Sequence, residues 1–405
     1  MSYKNILVPL HGSNFDTEHD SRFFVNGKPI IRRRTLTAVQ KRAILLQKTK
    51  QMNDLFKNFH FSNDSCYNSA VKMSFGSDSI QQSPFPIDAV FTWVENTPEH
   101  EINRKAYSLQ CEGGRKPSDN NNNRYNDNEE LRYAIRSIYQ NAPWFRRIFI
   151  IVDDQQCPKW LADESAKAKI PTVIVPHSFL YGMEFKHHLP TFNSQSIECH
   201  LHRIDGLADH FVYFNDDMFI NQPLSWFHFF TARQEPKYNF TGIVQTGPKT
   251  DNLSKHAIAW INNSIALDKV FPRTSGQERK HPAHQCIPML KKSFQNAWEH
   301  PLLSKYFNIT SASRFRDRNN MYIIGFLCHW NINYNLAVQC NMTTLYVQIA
   351  DYTNIFDIAK VIIERRPTLL CLNDGLIKKR KQNGELVRIM LNNLFPSISP
   401  VENFV

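Results

Sequence analysis

No stretch of this 405-residue chain approaches the 18 apolar residues that a membrane-crossing helix needs, so no transmembrane span is expected. Zinc-type pairing is missing as well. The eight cysteines, at positions 66, 111, 157, 199, 286, 328, 340 and 371, form no Cys-x-x-Cys pair. Thiols scattered in this way argue against a zinc site and fit a reducing, cytoplasmic setting. The opening Met1-Ser-Tyr-Lys-Asn5 leads only to a short apolar run, Ile6 to Leu10, with no small-residue cleavage site, so no signal peptide is expected. No Walker loop, zinc finger or RNP-type aromatic motif occurs, which sets nucleic acid aside as a partner. The chain also lacks internal repeats.

What is present is a globular composition, 42% apolar and 12% aromatic, in a chain long enough for one large or two ordinary domains. The net charge of +11 favours anionic partners without choosing among nucleotides, phosphorylated polymers and acidic lipid heads. From Arg32-Arg33-Arg34 to about Phe59 the pattern reads as a helix. Leu36, Val39, Ala43, Leu45, Leu46, Met52 and Leu55 form its imperfect apolar stripe, beside Lys41, Arg42, Lys48 and Lys50. Such a helix can lie on an acidic membrane or grip an acidic polymer; the plainer reading is an ordinary helix with a solvated face. Residues 62–84 are Ser- and Asn-rich and read as a linker, and Asp119 to Asn123 as a surface loop.

The middle third alternates between strand and helix signals. Ile87–Val94 reads as a strand. Asp127–Ile138 reads as a helix with Asp127 as N-cap, stopped by Asn141-Ala-Pro-Trp144. Arg147–Val152 is a strand ending in Asp153-Asp154, Pro171–Val175 is another, and Thr191–Leu207 reads as a helix. The most informative piece is Phe211-Val-Tyr-Phe-Asn-Asp-Asp217, four strand formers running into Asn215, Asp216 and Asp217. Adjacent carboxylates at a buried strand end repel and pay desolvation unless a cation or donor lies between them. Hard oxygen ligands of this kind suit Mg²⁺ or Mn²⁺ bridging phosphates, although a capping turn would use the same residues. Thr368-Leu-Leu-Cys-Leu-Asn-Asp374 repeats the theme. Carboxylates at strand ends in an alternating α/β pattern predict a nucleotide-binding sheet.

Taken together these residues resemble the Stealth family, which includes bacterial capsule hexose-1-phosphate transferases and the catalytic subunit of animal N-acetylglucosamine-1-phosphotransferase. The resemblance is carried by PIDAVFTWVE (86–95), DNEELRYAIRSIYQNAPWFRRIFIIVDDQQCPKWL (127–161), LPTFNSQSIECHLHRIDGLADHFVYFNDD (189–217), residues 279–292 with 314–321, and LLCLND (369–374). One departure is Glu95, where the family's first region usually has Asp. The resemblance implies a Rossmann-like, glycosyltransferase-A-like sheet over residues 85–376, between a helical and linker segment (1–84) and a helical tail (377–405). It implies transfer of hexosamine 1-phosphate from a UDP-N-acetylhexosamine to a hydroxyl of an oligo- or polysaccharide, releasing UMP. Contact with the inner membrane or a capsule-assembly complex is a further expectation.

Roles follow from that chemistry. Asp216, Asp217 and Asp374 are the expected ligands of Mg²⁺ or Mn²⁺, with Asp217 also catalytic. Arg316 and Arg132 are candidate clamps on phosphoryl oxygens, since guanidinium matches phosphate bidentately. His284 is the candidate base, its ordinary pKa lying near working pH. Asp88 and Trp93 are expected at the nucleoside end, Asn193 and Ser194 at sugar hydroxyls or phosphate oxygens, and Asn128 and Asn373 among the substrate-binding residues. Each has a plainer alternative: Arg132 as a helix ion pair with Glu129 or Glu130, Trp93 as core, Asp153-Asp154 as a turn, and His281 and His284 as surface residues. A glycosyltransferase that releases UDP uses the same strand-end carboxylates. A binding protein without activity would lack the carboxylates or the arginine, and all are present.

Overall fold

In the computed structural model of the protein, which describes residues 22–25, 28–31, 37–57, 82–111, 122–244, 252–376 and 380–403, the apolar runs above become neighbouring strands. A hairpin of β1 (Arg22–Val25) and β2 (Lys28–Ile31) comes first in the chain. The central sheet then takes β3 (Ile87–Thr92), β4 (Ile148–Val152), β5 (Thr172–Pro176) and β6 (His210–Asn215), all parallel. After β6 follow β7 (Met218–Ile220), β8 (Lys237–Ile243), β9 (Lys280–Pro282) and β10 (Ile287–Leu290). The last strands are β11 (Val338–Cys340), β12 (Thr344–Ile349) and β13 (Leu369–Asp374). The central order is β10-β6-β3-β4-β5, with β10 antiparallel at the edge. From β3 the chain moves out through β4 to β5 and then returns to the other side of β3 as β6. The α/β expectation holds, and the order reverses between β3 and β6.

Continuous apolar runs form these strands because both faces of the sheet are covered. Ile87, Ala89 and Phe91 join Ile148, Ile150 and Phe214 in one buried cluster, with Leu131, Ile135 and Ile138 of the helix Glu130–Asn141. Val90, Phe149, Ile151, Phe211 and Tyr213 face a second cluster, filled by Phe294, Phe307, Phe326 and Trp330. The first cluster also takes Met52 and Phe56 of the helix Ala38–Phe56, and Leu386, Met390 and Leu391 of the helix Arg380–Leu394. The segment set apart as a C-terminal tail thus supplies core. A second sheet, β12-β13-β7, leans on the first, and the Leu372 amide donates to the Asp217 carbonyl at 3.0 Å. That bond brings the two Asn-Asp strand ends together.

Several local expectations shift. The N-terminal helix is confined to Ala38–Phe56 by a capping box of Thr37 and Gln40. Asp127 is not an N-cap: Glu129 takes that place in a left-handed conformation (φ 68°), while Asp127 Oδ1 accepts the Glu129 amide at 2.7 Å. Thr191–Leu207 is not one helix but a short turn of helix, Ser194–Glu198, and a single 3-10 turn, Leu201–Arg203. The Cys199 carbonyl is taken by Trp298 Nε1 at 2.7 Å, and His200 Nε2 pairs with the Ser311 hydroxyl at 2.6 Å, so this segment follows a buried polar network instead. Helices at Pro98–Cys111 and His177–Phe185 were not expected. Most of the proposed linker (62–81), the opening run Ile6–Leu10 and residues 119–121 lie outside the described residues. Among the described residues no helix is long and apolar enough to cross a membrane.

Candidate active site

Ligands of open α/β sheets bind at the carboxyl ends of the strands, where strand order reverses. Here a cleft of about 210 Å³ opens at that place. Trp93 enters it from the end of β3, Asp153 from β4, His177 from β5, Asp216 and Asp217 from β6, and Asn373 and Asp374 from β13. One wall is strongly acidic. Burial and the neighbouring Asp217 charge push the Asp216 carboxyl well up. Burial also raises Asp217, against the pull of His284, and Asp217 Oδ1 is buried with no hydrogen-bond partner. Glu130, 4% exposed, is pushed up to about 8 by burial and then by the Asp127 charge. Asn128 holds the group together, its Nδ2 donating to Glu130 Oε1 at 2.6 Å and to Asp374 Oδ2 at 3.2 Å. Trp93 Nε1 donates to Asp127 Oδ2 at 3.2 Å.

This donor set suits a hard divalent cation: it is all oxygen, it repels itself, and one carboxylate oxygen is orphaned. Among the described residues no group of three or more His, Cys, Asp or Glu side chains is placed to hold a metal ion by itself. An open set fits an ion that keeps waters and shares phosphate oxygens with a ligand better than it fits a structural metal.

Cationic groups line the same cleft. Arg316 lines it, and its Nη2 donates to Ser194 Oγ at 3.2 Å. Arg124 lines it too. His284 stands just behind: its Nδ1 lies 3.3 Å from Cys371 Sγ, and its ring is 5.3 Å from that of Tyr346. Burial lowers the His284 pKa while the Asp217 charge opposes the loss.

Residues 124–238 match the conserved region 2 model of the Stealth proteins. A capsular polysaccharide phosphotransferase of Haemophilus influenzae is 30% identical over 314 residues, covering 73% of this chain and 80% of that protein. This chain belongs to the Stealth family. A capsular polysaccharide phosphotransferase of Aeromonas hydrophila is 31% identical over 325 residues, covering 76% of this chain and 84% of that one. An exopolysaccharide phosphotransferase of Streptomyces coelicolor is 32% identical over 330 residues, covering 78% of this chain; the chain spans 57% of that relative's length.

Of the residues singled out in this Stealth sequence, Trp93, Ser194, Asp216, Asp217, Arg316, Asn373 and Asp374 meet in the cleft, Asn128 braces it, and His284 adjoins it. Three do not belong there. Asp88 sits near the amino end of β3, roughly 13 Å of strand from the cleft. Its oxygens are taken by Arg146 Nε (2.9 Å), Arg146 Nη2 (2.6 Å) and the Ala208 amide (2.7 Å). Arg132 pairs with Glu402 at 2.5 Å and with Glu129 at 3.1 Å, the ion-pair alternative. Asn193 is fully buried: Oδ1 accepts the Gln195 amide, and Nδ2 donates to the Ser313 and Phe315 carbonyls at 3.0 and 3.4 Å. It pins the loop that carries Arg316 and offers the cleft nothing directly. Sequence reasoning missed Glu130, His100, His177 and Glu198. Glu198 is raised to about 7 by burial and keeps Oε2 without a partner. Asp153 takes the turn role expected of it, its Oδ1 accepting the Gln155 amide at 3.2 Å, and it also lines the cleft; Asp154 reaches across to accept the Ser178 amide at 2.8 Å.

Proposed function

We propose that this Stealth protein transfers hexosamine 1-phosphate from a UDP-amino sugar to a hydroxyl of an oligo- or polysaccharide acceptor, building phosphodiester links in a capsular or cell-surface polymer. One observation carries the reading. The two Asn-Asp strand ends and Arg316 converge on a cleft at the switch point of the sheet, in a family whose relatives are named polysaccharide phosphotransferases. The acceptor oxygen bonds to the sugar-side phosphorus, the phosphoanhydride bond breaks, and UMP leaves with that bond's electrons. Charge in such a step spreads over phosphoryl oxygens, so orientation and electrostatics dominate. Arg316 grips those oxygens, and its bond to Ser194 fixes the fork. His284 takes the acceptor proton; burial keeps it neutral, and the Asp217 charge keeps it basic enough to act. Mg²⁺ or Mn²⁺ held by Asp216, Asp217 and Asp374 would neutralise the diphosphate of the donor. The partly exposed Tyr346 beside His284 supports approach of the acceptor from that side.

The test is incubation with a panel of UDP-N-acetylhexosamines and acceptor, with Mg²⁺ and with chelator, separating UMP from UDP by chromatography. UMP release that needs the divalent ion is the expected result. UDP release would replace the reading with an ordinary glycosyl transfer, and full activity in chelator would remove the cation from it.

A further inference from the structure

Away from the carboxylates, at the ends of β4 and β5, the same cleft is walled by His100, His177, Asp153, Tyr125 and Phe192. His100 comes from the helix Pro98–Cys111, and His177 opens the helix His177–Phe185. They are 7% and 6% exposed. Each keeps one ring nitrogen buried with no hydrogen-bond partner, Nδ1 of His100 and Nε2 of His177. Buried polar atoms in native proteins are paired, so two orphans on one cleft wall point to a ligand that satisfies them. Both rings are neutral: burial lowers them, His177 to about 4, and the Asp153 charge opposes the shift in both. Neutral imidazoles have little pull on phosphate, and the guanidinium groups of Arg124 and Arg316 supply that elsewhere in the cleft. Beside the histidines the cleft wall is aromatic, with the rings of Tyr125 and Phe192 each 5.4 Å from that of His100 and inclined to it by 51° and 67°.

We propose that this end of the cleft reads the base of the nucleotide donor, and that His100, His177 and Asp153 together select an imide edge of the uracil type. Such an edge offers acceptor, donor, acceptor. Two imidazole N–H groups, with their protons on the orphaned nitrogens, answer the two oxygens, and the Asp153 carboxylate answers the ring N–H. A cytosine edge would turn a ring lone pair towards that carboxylate. From β5 to β6 is three strand spacings, roughly 14 Å, comparable with the reach from a base to the second phosphate of a nucleoside diphosphate. The inference rests on the nucleotide-sugar reading of the cleft and assigns its nucleoside end to residues other than Asp88.

Titration calorimetry on the full chain with Mg²⁺ tests it, using UDP, CDP and inorganic diphosphate as probes. Wild-type protein should prefer UDP to CDP by about tenfold or more. His100→Ala and His177→Ala should each weaken UDP about ten- to hundredfold, the range expected for one lost buried hydrogen bond, and leave inorganic diphosphate unchanged. Asp153→Asn keeps the size of the side chain and gives it a donor, so the UDP-over-CDP preference should narrow or reverse. Arg316→Lys should weaken UDP and diphosphate alike. Variants at His100, His177 and Asp153 that bind UDP with wild-type affinity and selectivity would overturn the assignment. Equal loss of UDP and diphosphate in the histidine variants, with unchanged selectivity in Asp153→Asn, would make the histidines packing residues and overturn it too. A wild-type protein that binds no nucleoside diphosphate better than inorganic diphosphate would instead sink the nucleotide-sugar reading beneath it.

Discussion

Glu130 is a carboxyl group that this fold holds protonated around neutral pH, raised to about 8 by burial and the Asp127 charge. Its unfolded value lies near 4.3. The folded state therefore binds more protons than the unfolded chain between those limits, and stability falls as pH rises from about 4.3 to about 8. Glu130→Gln removes that dependence. The variant should melt close to wild type at pH 5 and above it at pH 8 in chelator, by an amount worth on the order of a few kcal/mol. A melting-temperature difference that does not grow with pH would show that Glu130 is ionised in the fold. His284 is the other residue with a sharp consequence. His284→Ala should slow turnover ~10²–10⁴-fold, the usual range for a positioned acid–base group, and flatten the acidic limb of the pH–rate profile. Donor affinity should persist. His281, whose ring stands edge-on to Trp260 at 4.5 Å, is the control and should keep its activity on replacement by alanine. A fully active His284→Ala enzyme would place the base elsewhere. Sequence order named Asp216, Asp217 and Arg316 but not Glu130, because a glutamate in the first turn of a helix reads as a solvated residue favoured by the helix dipole until tertiary packing covers it.

Among the elements, the parallel strands of the central sheet and β13 were legible, while β7 to β12 and several helices were not. β3, β4, β6 and β13 are buried on both faces, which writes them into the sequence as unbroken apolar runs, and the half-buried edge strand β5 is apolar enough to read the same way. The segment from Thr191 to Leu207 carries helix-compatible residues, yet its polar side chains bond inward to Ser311 and its carbonyls to Trp298, which no periodicity reveals. Asp88 was excludable. A residue at the amino end of a parallel strand lies at the wrong edge of the sheet for a ligand, whatever its proximity in sequence to Trp93. In the structure it staples β3 to Arg146 and to the Ala208 amide at the start of the approach to β6. Asp88→Ala should cost on the order of 2–3 kcal/mol, because the Ala208 amide loses its acceptor while the Arg146 guanidinium, 37% exposed, recovers water. Thermal melting and steady-state rates check this: melting should drop, with the rate per folded molecule within about twofold of wild type. A stably folded Asp88→Ala protein without activity would return Asp88 to the cleft.

At the scale of the whole molecule, residues far apart in the chain brace the helix that carries Glu130. Glu402, 3% exposed, binds Arg132 and Arg136, so the end of the described chain clamps the helix that presents Glu130. The net charge of +11 and the α/β class were readable from composition and pattern. The meeting of His100, His177 and Asp153 was not, because those residues lie on separate elements that only the sheet order brings together. The central claim is that the bond broken at this cleft is the phosphoanhydride of the donor and that the sugar travels with its phosphate. A UDP-N-acetylhexosamine radiolabelled at the β-phosphorus tests it most directly, by following where the label goes in the presence of acceptor and Mg²⁺. The account predicts label in the polysaccharide, one phosphorus for each sugar added, with unlabelled UMP released and no transfer by Asp217→Asn. Label recovered in UDP, with sugar but no phosphorus in the polymer, would contradict it.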